Sequence, residues 1–432
     1  MSLDGSPYQG YLYAYPHKTA YRPMRPRPPL REVWAGERRD ALFLYLHVPF
    51  CEMRCGFCNL FTRAHPPGEQ VRAYLAAVRR QAGVVADALG PASFAGTAIG
   101  GGTPTYLSAA ELHELFDVLD PMRAGGPLSV ETSPATATAD RIGVLVEGGV
   151  TRISLGVQSF LDLEAHAAGR PQKRSDVDSA LAVLRDHPVP VVNLDLIYGI
   201  PGQTARTWET SLAAALSWRP EELYLYPLYV RPLTGLSRRG STVDADWDSQ
   251  RLALYRQARD RLLGAGYAQL SMRHFRLPSV TGEGDYCCQD DGMVGLGCGA
   301  RSYTTELHYS FDYAVGVSGV RGIIDDYVRR PAGDFGYAEV GFRLDGTEQR
   351  RRWLVKTLLR AEGTDLAGYA ARFGSALLDD FPQLDGLAER GWMSTVDGRW
   401  VLTAAGLERS DAIGPWLVSE PVRAAMAGYA AR

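Results

Sequence analysis

The sequence predicts an α/β protein built on a partial (β/α)6 TIM-type barrel, with an N-terminal arm and a C-terminal, winged-helix-like helical domain. Two observations carry this prediction. Runs of β-branched, aromatic and aliphatic residues alternate with helix-length segments from residue 41, and the pattern becomes mainly helical after residue 336. Strands separated by helices of that length imply parallel crossovers. A doubly wound sheet is the main alternative for the same alternation.

The N-terminal segment, residues 1–40, is rich in proline, tyrosine and arginine. It carries six prolines, and "YAYPHKTAYRPMRPRPPL" offers no run long enough for a helix. Each proline removes a backbone donor and restricts the residue before it. We therefore expect an arm that becomes ordered by contact with the rest of the chain.

The barrel is predicted over residues 41–234. Its strand-like runs are 41–50, 94–102, 127–133, 151–160, 189–199 and 221–230. Residues 235–335 form a mixed connecting region that contains a helical segment and the glycine-rich stretch "GLGCGARSYT". Residues 336–432 read as helices followed by a hairpin at Asp397-Gly398 and a last helix, and their interleaved acidic residues favour a structural domain over a DNA-binding one.

Composition narrows the functional classes. The net charge is -3, from 46 Lys and Arg against 49 Asp and Glu, so global charge favours neither nucleic acid nor an anionic membrane. The apolar runs are strand-length, and the first forty residues do not resemble a signal peptide. Six cysteines are too few for a secreted disulfide scaffold, and their clustering favours metal or redox chemistry. We expect a cytoplasmic protein.

Three cysteines, Cys51, Cys55 and Cys58, follow the first predicted strand within "HVPFCEMRCGFCNLF". Three thiolates on one loop can hold three irons of a [4Fe–4S] cluster and leave the fourth open for chemistry. A structural zinc would need a fourth ligand, which His47 or His65 could supply. The spacing and the position at the carboxyl end of a barrel strand favour the cluster.

The motifs around this loop resemble the radical S-adenosylmethionine (SAM) superfamily. "YLHVPFC", "GGGTPTYL", "ETSP", "RISLGVQSF", "GRPQ" and "NLDLIYGIPGQT" stand in the order of the branch that includes oxygen-independent coproporphyrinogen III oxidase. The stretch "GLGCGARSYT" and the C-terminal region are similar to that branch too. The resemblance covers most of residues 40–425.

The resemblance implies a set of site residues. It makes Cys51, Cys55 and Cys58 the ligands of a [4Fe–4S] cluster. It implies that a first SAM contacts Tyr45, Gly101, Glu131 and the backbone near Arg301. It implies that a second SAM contacts Phe57, Gly102, Thr103, Gln158, Arg170 and Asp195.

The residue types agree with these implied roles. Consecutive glycines at the end of the second strand allow backbone to approach a ligand closely. Asp195 lies in an otherwise apolar run, where a carboxylate is costly unless it is paired or liganded. Glu131 and Gln158, taken alone, could equally be ordinary polar residues at strand ends.

The reaction is predicted from finer similarities. Coproporphyrinogen oxidases carry a further cysteine where this chain has Leu60, whereas "NLFTR" and the arm look closer to class C radical SAM methyltransferases and related cyclopropanases. The main prediction is therefore transfer of a methyl or methylene group, by two SAM molecules, to an unsaturated carbon of a natural-product substrate. The alternatives are oxidative decarboxylation or another tetrapyrrole reaction, and a non-catalytic protein that carries heme or a cluster.

The expected partners are an aromatic small molecule or peptide-derived substrate and an electron donor of the flavodoxin or ferredoxin type, with no nucleic acid and no membrane. On the arm, His17, Lys18 and Arg22 could contact an anionic substrate, or be solvated basic residues. The arm tyrosines would suit a flat aromatic substrate, or pin the arm to the barrel. Cys287, Cys288 and Cys298 are predicted to be packing or redox-sensitive residues rather than a second metal site.

Overall fold

A computed structural model describes residues 2–123, 125–238, 244–280 and 292–430. Its centre is a run of six parallel strands whose spatial order follows their chain order. These strands are β1 (Leu42–Val48), β2 (Phe94–Gly101), β3 (Leu128–Thr132), β4 (Arg152–Gln158), β5 (Val191–Tyr198) and β6 (Glu222–Pro227). The partial barrel is confirmed. A doubly wound sheet would reverse its strand order partway, and this sheet does not.

Further short strands extend both edges, giving a thirteen-stranded sheet within the described ranges. They are β7 (Ala268–Gln269), β8 (His274–Arg276), β9 (Met293–Leu296), β10 (Arg301–Tyr303), β11 (Leu307–Ser310) and β12 (Val340–Arg343), with the two-residue strand Arg22–Pro23 beside β12. β9 pairs in parallel with β1. The strands beyond β9 and beyond β6 pair antiparallel. Among the described residues the two edges of this sheet do not pair with each other, so the barrel is open.

Helices cover the outside of the parallel strands. In the barrel they are α1 (Leu30–Val33), α2 (Gly68–Leu89), α3 (Ala109–Leu119), α4 (Ala139–Glu147), α5 (Asp162–Ala167), α6 (Arg174–Asp186), α7 (Ala205–Ser217), α8 (Gly235–Arg238), α9 (Ala245–Gly264) and α10 (Val317–Arg329). The start of α3 shows how the sequence sets these limits. Ser108 and Glu111 form a reciprocal capping box there.

The C-terminal region has its own small sheet and helices. Its strands are β13 (Thr364–Asp365), β14 (Met393–Val396) and β15 (Arg399–Leu402). Its helices are α11 (Gly346–Leu358), α12 (Leu366–Phe373), α13 (Leu377–Asp380), α14 (Asp385–Glu389), α15 (Ala404–Leu407), α16 (Ser410–Leu417) and α17 (Glu420–Ala427). Asp397 and Gly398 join β14 to β15 with positive φ angles of 48° and 74°, as a two-residue hairpin turn requires.

The arm contributes to two hydrophobic cores. Tyr8, Leu30 and Trp34 pack into the core between the sheet and its helices. Tyr15 and Ala20 pack into the core of the C-terminal region. The arm therefore packs against both the barrel and the C-terminal region. The division of the chain at residues 40, 234 and 335 stays a prediction.

Two smaller sequence predictions concern cysteines and membranes. Cys287 and Cys288 lie outside the described residues, while Cys298 is a buried free thiol in the main core. Across the described ranges, every helix is too short or too polar to cross a membrane.

Candidate active site

A cavity of about 840 Å³ lies at the carboxyl ends of the barrel strands. Its wall brings together every residue that the sequence predicts for the cluster and the SAM sites. These are Tyr45, Cys51, Cys55, Phe57, Cys58, Gly101, Gly102, Thr103, Glu131, Gln158, Arg170, Asp195 and Arg301. Their convergence in one cavity is an observation, and their individual roles stay predictions.

The cysteine loop directly follows β1 and lies between two other loops. Gly56 donates its N–H to the carbonyl of Gly169, at 3.0 Å, and accepts from the N–H of Leu236, at 2.8 Å. These backbone bonds join the loop to the segment after α5 and to the start of α8. The backbone bonds of Gly56 therefore hold the loop in place. The side chains of its three cysteines line the cavity.

The cysteine thiols are partly covered by protein. Thr103 Oγ1 donates to Cys51 Sγ at 3.5 Å. Burial raises the pKa of Cys51 to about 12, and it also raises the pKa of Cys55 although the charge of Arg170 acts in the opposite direction. Thiols with raised pKa values stay protonated at neutral pH until a metal centre displaces the proton.

The two histidines that could complete a zinc site are not placed to do so. His47 Nε2 lies 3.0 Å from the carbonyl oxygen of Phe61, and its Nδ1 lies 3.3 Å from the Tyr45 hydroxyl. His65 is exposed, and it does not line the cavity. In the described part of the chain, no group of three or more His, Cys, Asp or Glu side chains converges on a single-ion site.

The backbone beside the thiols packs closely against the cysteine loop and requires glycine. A Cβ on Gly102 would lie 2.9 Å from Cys51 Sγ and 2.5 Å from the carbonyl oxygen of Phe50. Gly101 has a φ of +114°, a conformation that favours glycine. Three soft thiols beside a side-chain-free backbone fit an iron–sulfur cluster.

Glu131 lies at the end of β3 and faces the cavity. Its Oε2 accepts the N–H of Gly101 at 3.0 Å. The side chain is open to the water of the cavity. Enclosure by the surrounding protein nevertheless raises the pKa of its carboxyl. A carboxylate that retains a free oxygen in such a cavity can accept a hydrogen bond from a ligand amine or hydroxyl.

Gln158 ends β4 in an unusual backbone conformation. Its φ is 69°, and the register between β4 and β5 shifts between Gly156 and Gln158. A Cβ on Gly156 would lie 2.9 Å from Gln158 Nε2 and 3.3 Å from Arg170 Nη1, so the three residues pack closely. Positive φ at a non-glycine residue costs on the order of 1 kcal/mol and is common at functional sites.

Asp195 lies in the middle of β5, where the neighbouring side chains are apolar. Asn193 Nδ2 donates to its Oδ1 at 2.8 Å, and Ser154 Oγ donates to its Oδ2 at 3.1 Å. Burial raises the pKa of Asp195 against the effect of these bonds. Among the described residues Asp195 forms no ion pair within 4.0 Å, and these hydrogen bonds orient its carboxyl group at the cavity wall.

The N-terminal arm reaches into the same cavity. Arg301 Nη1 donates to the Tyr13 hydroxyl at 2.8 Å, and Lys18 Nζ lies 3.6 Å from the centre of the Tyr313 ring. Arg22 of the arm lies elsewhere, because its guanidinium donates to the carbonyls of Thr19, Tyr21 and Ala425. Tyr11, Tyr13, His17 and Lys18 of the arm line the cavity, whereas Arg22 does not.

Several cavity residues had no signal in the sequence. Tyr226 lies near the end of β6, Tyr229 and Arg231 follow it, Tyr313 precedes α10, and Arg423 lies on α17. They fall outside the recognisable motifs, and only the three-dimensional fold brings them to the cysteine loop.

Comparisons with known proteins identify the fold and the relatives. Residues 45–215 match the sequence profile of the radical SAM superfamily. The chain is 28% identical to heme chaperone HemW of Bacillus subtilis over 371 residues, covering 84% of this chain and 95% of that protein. It is 34% identical to the oxygen-independent coproporphyrinogen III oxidase of Cereibacter sphaeroides over 242 residues, 54% of this chain and 53% of that one.

A solved structure has the same fold. Coproporphyrinogen III oxidase (HemN) of Escherichia coli superimposes with a TM-score of 0.79 at 23% identity, over 94% of this chain and 96% of that chain. At this identity the likeness concerns the fold, and it includes the helical C-terminal region.

The prediction of a class C methyltransferase for natural products is wrong. The relatives named above are coproporphyrinogen III oxidases and heme chaperones instead. Leu60, on which that prediction partly depended, is 49% exposed at the cavity edge, so its identity is a poor guide to the reaction inside. Residues 45–215 thus match the radical SAM superfamily profile, and the chain is similar to coproporphyrinogen III oxidases and to HemW-type heme chaperones.

Proposed function

We propose that this protein is a radical SAM enzyme that oxidatively decarboxylates propionate side chains of a coproporphyrinogen-type tetrapyrrole without oxygen. One observation carries the proposal. A single cavity joins the cysteine loop, the predicted SAM residues and an aromatic, basic wall contributed by the arm and by the segment after β6. The coproporphyrinogen III oxidases among the relatives support the same reaction.

The residues present fit a [4Fe–4S] cluster and SAM. Cys51, Cys55 and Cys58 would hold three irons, and Glu131 with the glycine turn would hold the amino acid part of SAM. When bound, the cluster supplies the electron that cleaves SAM and yields a 5′-deoxyadenosyl radical. The protein's own contribution is to orient both groups and to exclude water from the closed end of the cavity.

A second SAM beside the first belongs to this proposal. Gln158, Arg170 and Asp195 lie together on the wall formed by β4, β5 and the segment after α5. Arg170 is a buried cation with Asp195 in its electrostatic neighbourhood. This arrangement offers a donor to a carboxylate and an acceptor to an amine or a ribose, as a second SAM would need.

The substrate would enter between the arm and the barrel. Tyr226, Tyr229 and Tyr313 offer flat aromatic surface, which suits a macrocycle. Conversion of one propionate to a vinyl group removes CO2, a hydrogen atom and one electron. The hydrogen atom goes to the deoxyadenosyl radical, and a one-electron acceptor must take the electron. A flavodoxin or ferredoxin would supply the reducing electron, in a cytoplasm that keeps the thiols reduced.

The coupling of SAM cleavage to the substrate tests this proposal. Anaerobically reconstituted protein with dithionite and SAM should form 5′-deoxyadenosine faster when coproporphyrinogen III is added, measured by liquid chromatography. Cys55→Ala should form none and should lack bound iron and sulfide. Wild-type cleavage of SAM that coproporphyrinogen III does not change would contradict the assignment of substrate.

A second candidate is a heme chaperone. HemW of Bacillus subtilis matches this chain over 95% of its own length. A chaperone would bind hemin stably and would not consume coproporphyrinogen III. Hemin titration beside the turnover assay therefore separates the two candidates.

A further inference from the structure

Three basic side chains face the cavity from the arm side. Lys18 belongs to the arm, Arg231 follows β6, and Arg301 begins β10. Each lies against an aromatic ring. Lys18 Nζ is 3.6 Å from the Tyr313 ring centre, the Arg231 guanidinium is 4.3 Å from that of Tyr229, and the Arg301 guanidinium is 4.9 Å from that of Tyr13. We name Lys18, Arg231 and Arg301 the basic triad.

The triad has no acidic partner in the described ranges. No carboxylate there lies within 4.0 Å of its three cationic groups. Arg273, which also lines the cavity, is different, because it forms a buried ion pair with Asp411 of α16. The cavity carboxylates are Glu52 of the cysteine loop and Glu131 and Asp195 of strands β3 and β5 on the barrel wall.

The pKa of His17 reflects the positive electrostatic potential beside the basic triad. Burial and then the charges of Lys18, Arg301 and Arg231 lower its pKa to about 3, so its ring is neutral at physiological pH. Two members of the triad also act on Tyr13. Burial raises the pKa of its phenol, but the charges of Arg301 and Lys18 outweigh that effect and lower it to about 8. Burial lowers the pKa of Lys18 itself to about 8, so its amine is mainly protonated at pH 7. Three basic groups therefore converge on one part of the cavity, and no carboxylate among the described residues pairs with them.

Uncompensated cations in a half-buried site are costly unless a ligand supplies the opposite charge. Rings beside such cations can bind a flat macrocycle while the cations bind its charged edge. We infer that Lys18 and Arg231, together with Arg301, bind the carboxylate side chains of the substrate. This inference rests on the proposed tetrapyrrole function and names the residues that recognise the acidic edge.

The binding test uses the stable oxidised tetracarboxylate coproporphyrin III, with its tetramethyl ester as the uncharged analogue. Both would be titrated into reconstituted protein and followed by porphyrin fluorescence. Wild type should bind the acid about 100-fold more tightly than the ester. Lys18→Met and Arg231→Gln should each weaken binding of the acid about tenfold and leave the ester unchanged.

Matched variants keep the test independent of folding. Lys173→Met removes an exposed lysine that is not in the cavity wall and should change neither affinity. Lys18→Arg should retain tight binding of the acid, because it keeps the charge. Equal binding of acid and ester by wild type overturns the inference, as do variants that weaken both probes equally.

Hemin, which carries two propionates, separates this inference from the oxidase proposal. If hemin binds more tightly than coproporphyrin III and loses affinity in the same two variants, the carboxylate site stands and the oxidase proposal fails in favour of a heme chaperone. If coproporphyrinogen III is turned over but neither variant changes probe binding, the oxidase proposal stands and this inference fails.

Discussion

Gly56 of the cysteine loop and Gly169 after α5 are in backbone contact. A Cβ on Gly169 would lie 2.6 Å from the Cα of Gly56, and a Cβ on Gly56 would lie 2.8 Å from the carbonyl oxygen of Ala168. No side chain fits between them. The loop that carries Cys51, Cys55 and Cys58 is therefore seated directly on the segment that presents Arg170 to the cavity.

The first prediction tests whether the contact between Gly56 and Gly169 positions the cysteine loop. Gly169→Ala should destabilise the fold by about 2 to 4 kcal/mol, because it adds a backbone overlap to an unfavourable φ of +72°. It should also lower the iron and sulfide content after anaerobic reconstitution, since the displaced loop no longer holds its thiols together.

Gly202→Ala is the matched control for that prediction. Gly202 has a similar φ of +81°, but a Cβ there would meet no atom within 4 Å. This variant should lose about 1 kcal/mol and keep the full cluster content. Equal iron and sulfide in both variants would show that the contact does not position the loop.

A second prediction concerns Glu222 at the amino-terminal end of β6, away from the cavity. It is buried and pairs with Arg152 and Arg276, both at 2.7 Å. Burial acts to raise the pKa of Glu222, but His274 and Arg152 together lower it well below its ordinary value of 4.5. Glu222→Gln should cost about 3 kcal/mol, because it leaves two partly buried cations without their counterion.

The pH dependence of that loss follows from the direction of the shift. A carboxyl with a lowered pKa in the folded state contributes its stability above pH 4.5, and the contribution is lost as the pH falls toward the lowered value. In urea denaturation, the free energy of unfolding should differ between wild type and Glu222→Gln by the full amount at pH 7 and by less at pH 4. The exposed pair of Glu209 and Arg261 provides a control, since Glu209→Gln should cost less than about 1 kcal/mol.

A third prediction concerns Gln158 and the second SAM. Gln158→Ala and Gln158→Gly should both retain the cluster and reduce SAM binding from two molecules to one, measured by calorimetry. Gln158→Gly should be the more stable variant, by about 1 kcal/mol, because glycine adopts the φ of 69° without strain. A wild-type protein that binds one SAM would contradict the two-SAM proposal.

The sequence predicted the barrel well because its strands are long and regularly separated. The six predicted runs correspond to β1 to β6, and the polar residues at their carboxyl ends meet in one cavity as parallel strands require. The strand β9 was not predicted to pair with β1. It has only four residues, and a pairing between residues 42–48 and 293–296 leaves no local pattern.

The position of the arm and the reaction class were harder to predict. Tyr8 and Tyr15 enter two different cores, a fact that depends on long-range contacts rather than on the prolines of the arm. Arg231 and Tyr313 reach the cavity from loops without recognisable motifs. The wrong prediction of a methyltransferase came from surface features such as Leu60, whereas the reaction depends on what the cavity admits.

The most direct test of the tetrapyrrole proposal is mass spectrometry of the porphyrin product. Reconstituted wild-type protein would be incubated without oxygen with SAM, dithionite, a one-electron acceptor and coproporphyrinogen III. We predict a product that has lost the elements of formic acid from each propionate converted, together with 5′-deoxyadenosine. Recovery of unchanged coproporphyrinogen III, while SAM is cleaved or hemin is bound, would contradict the proposal.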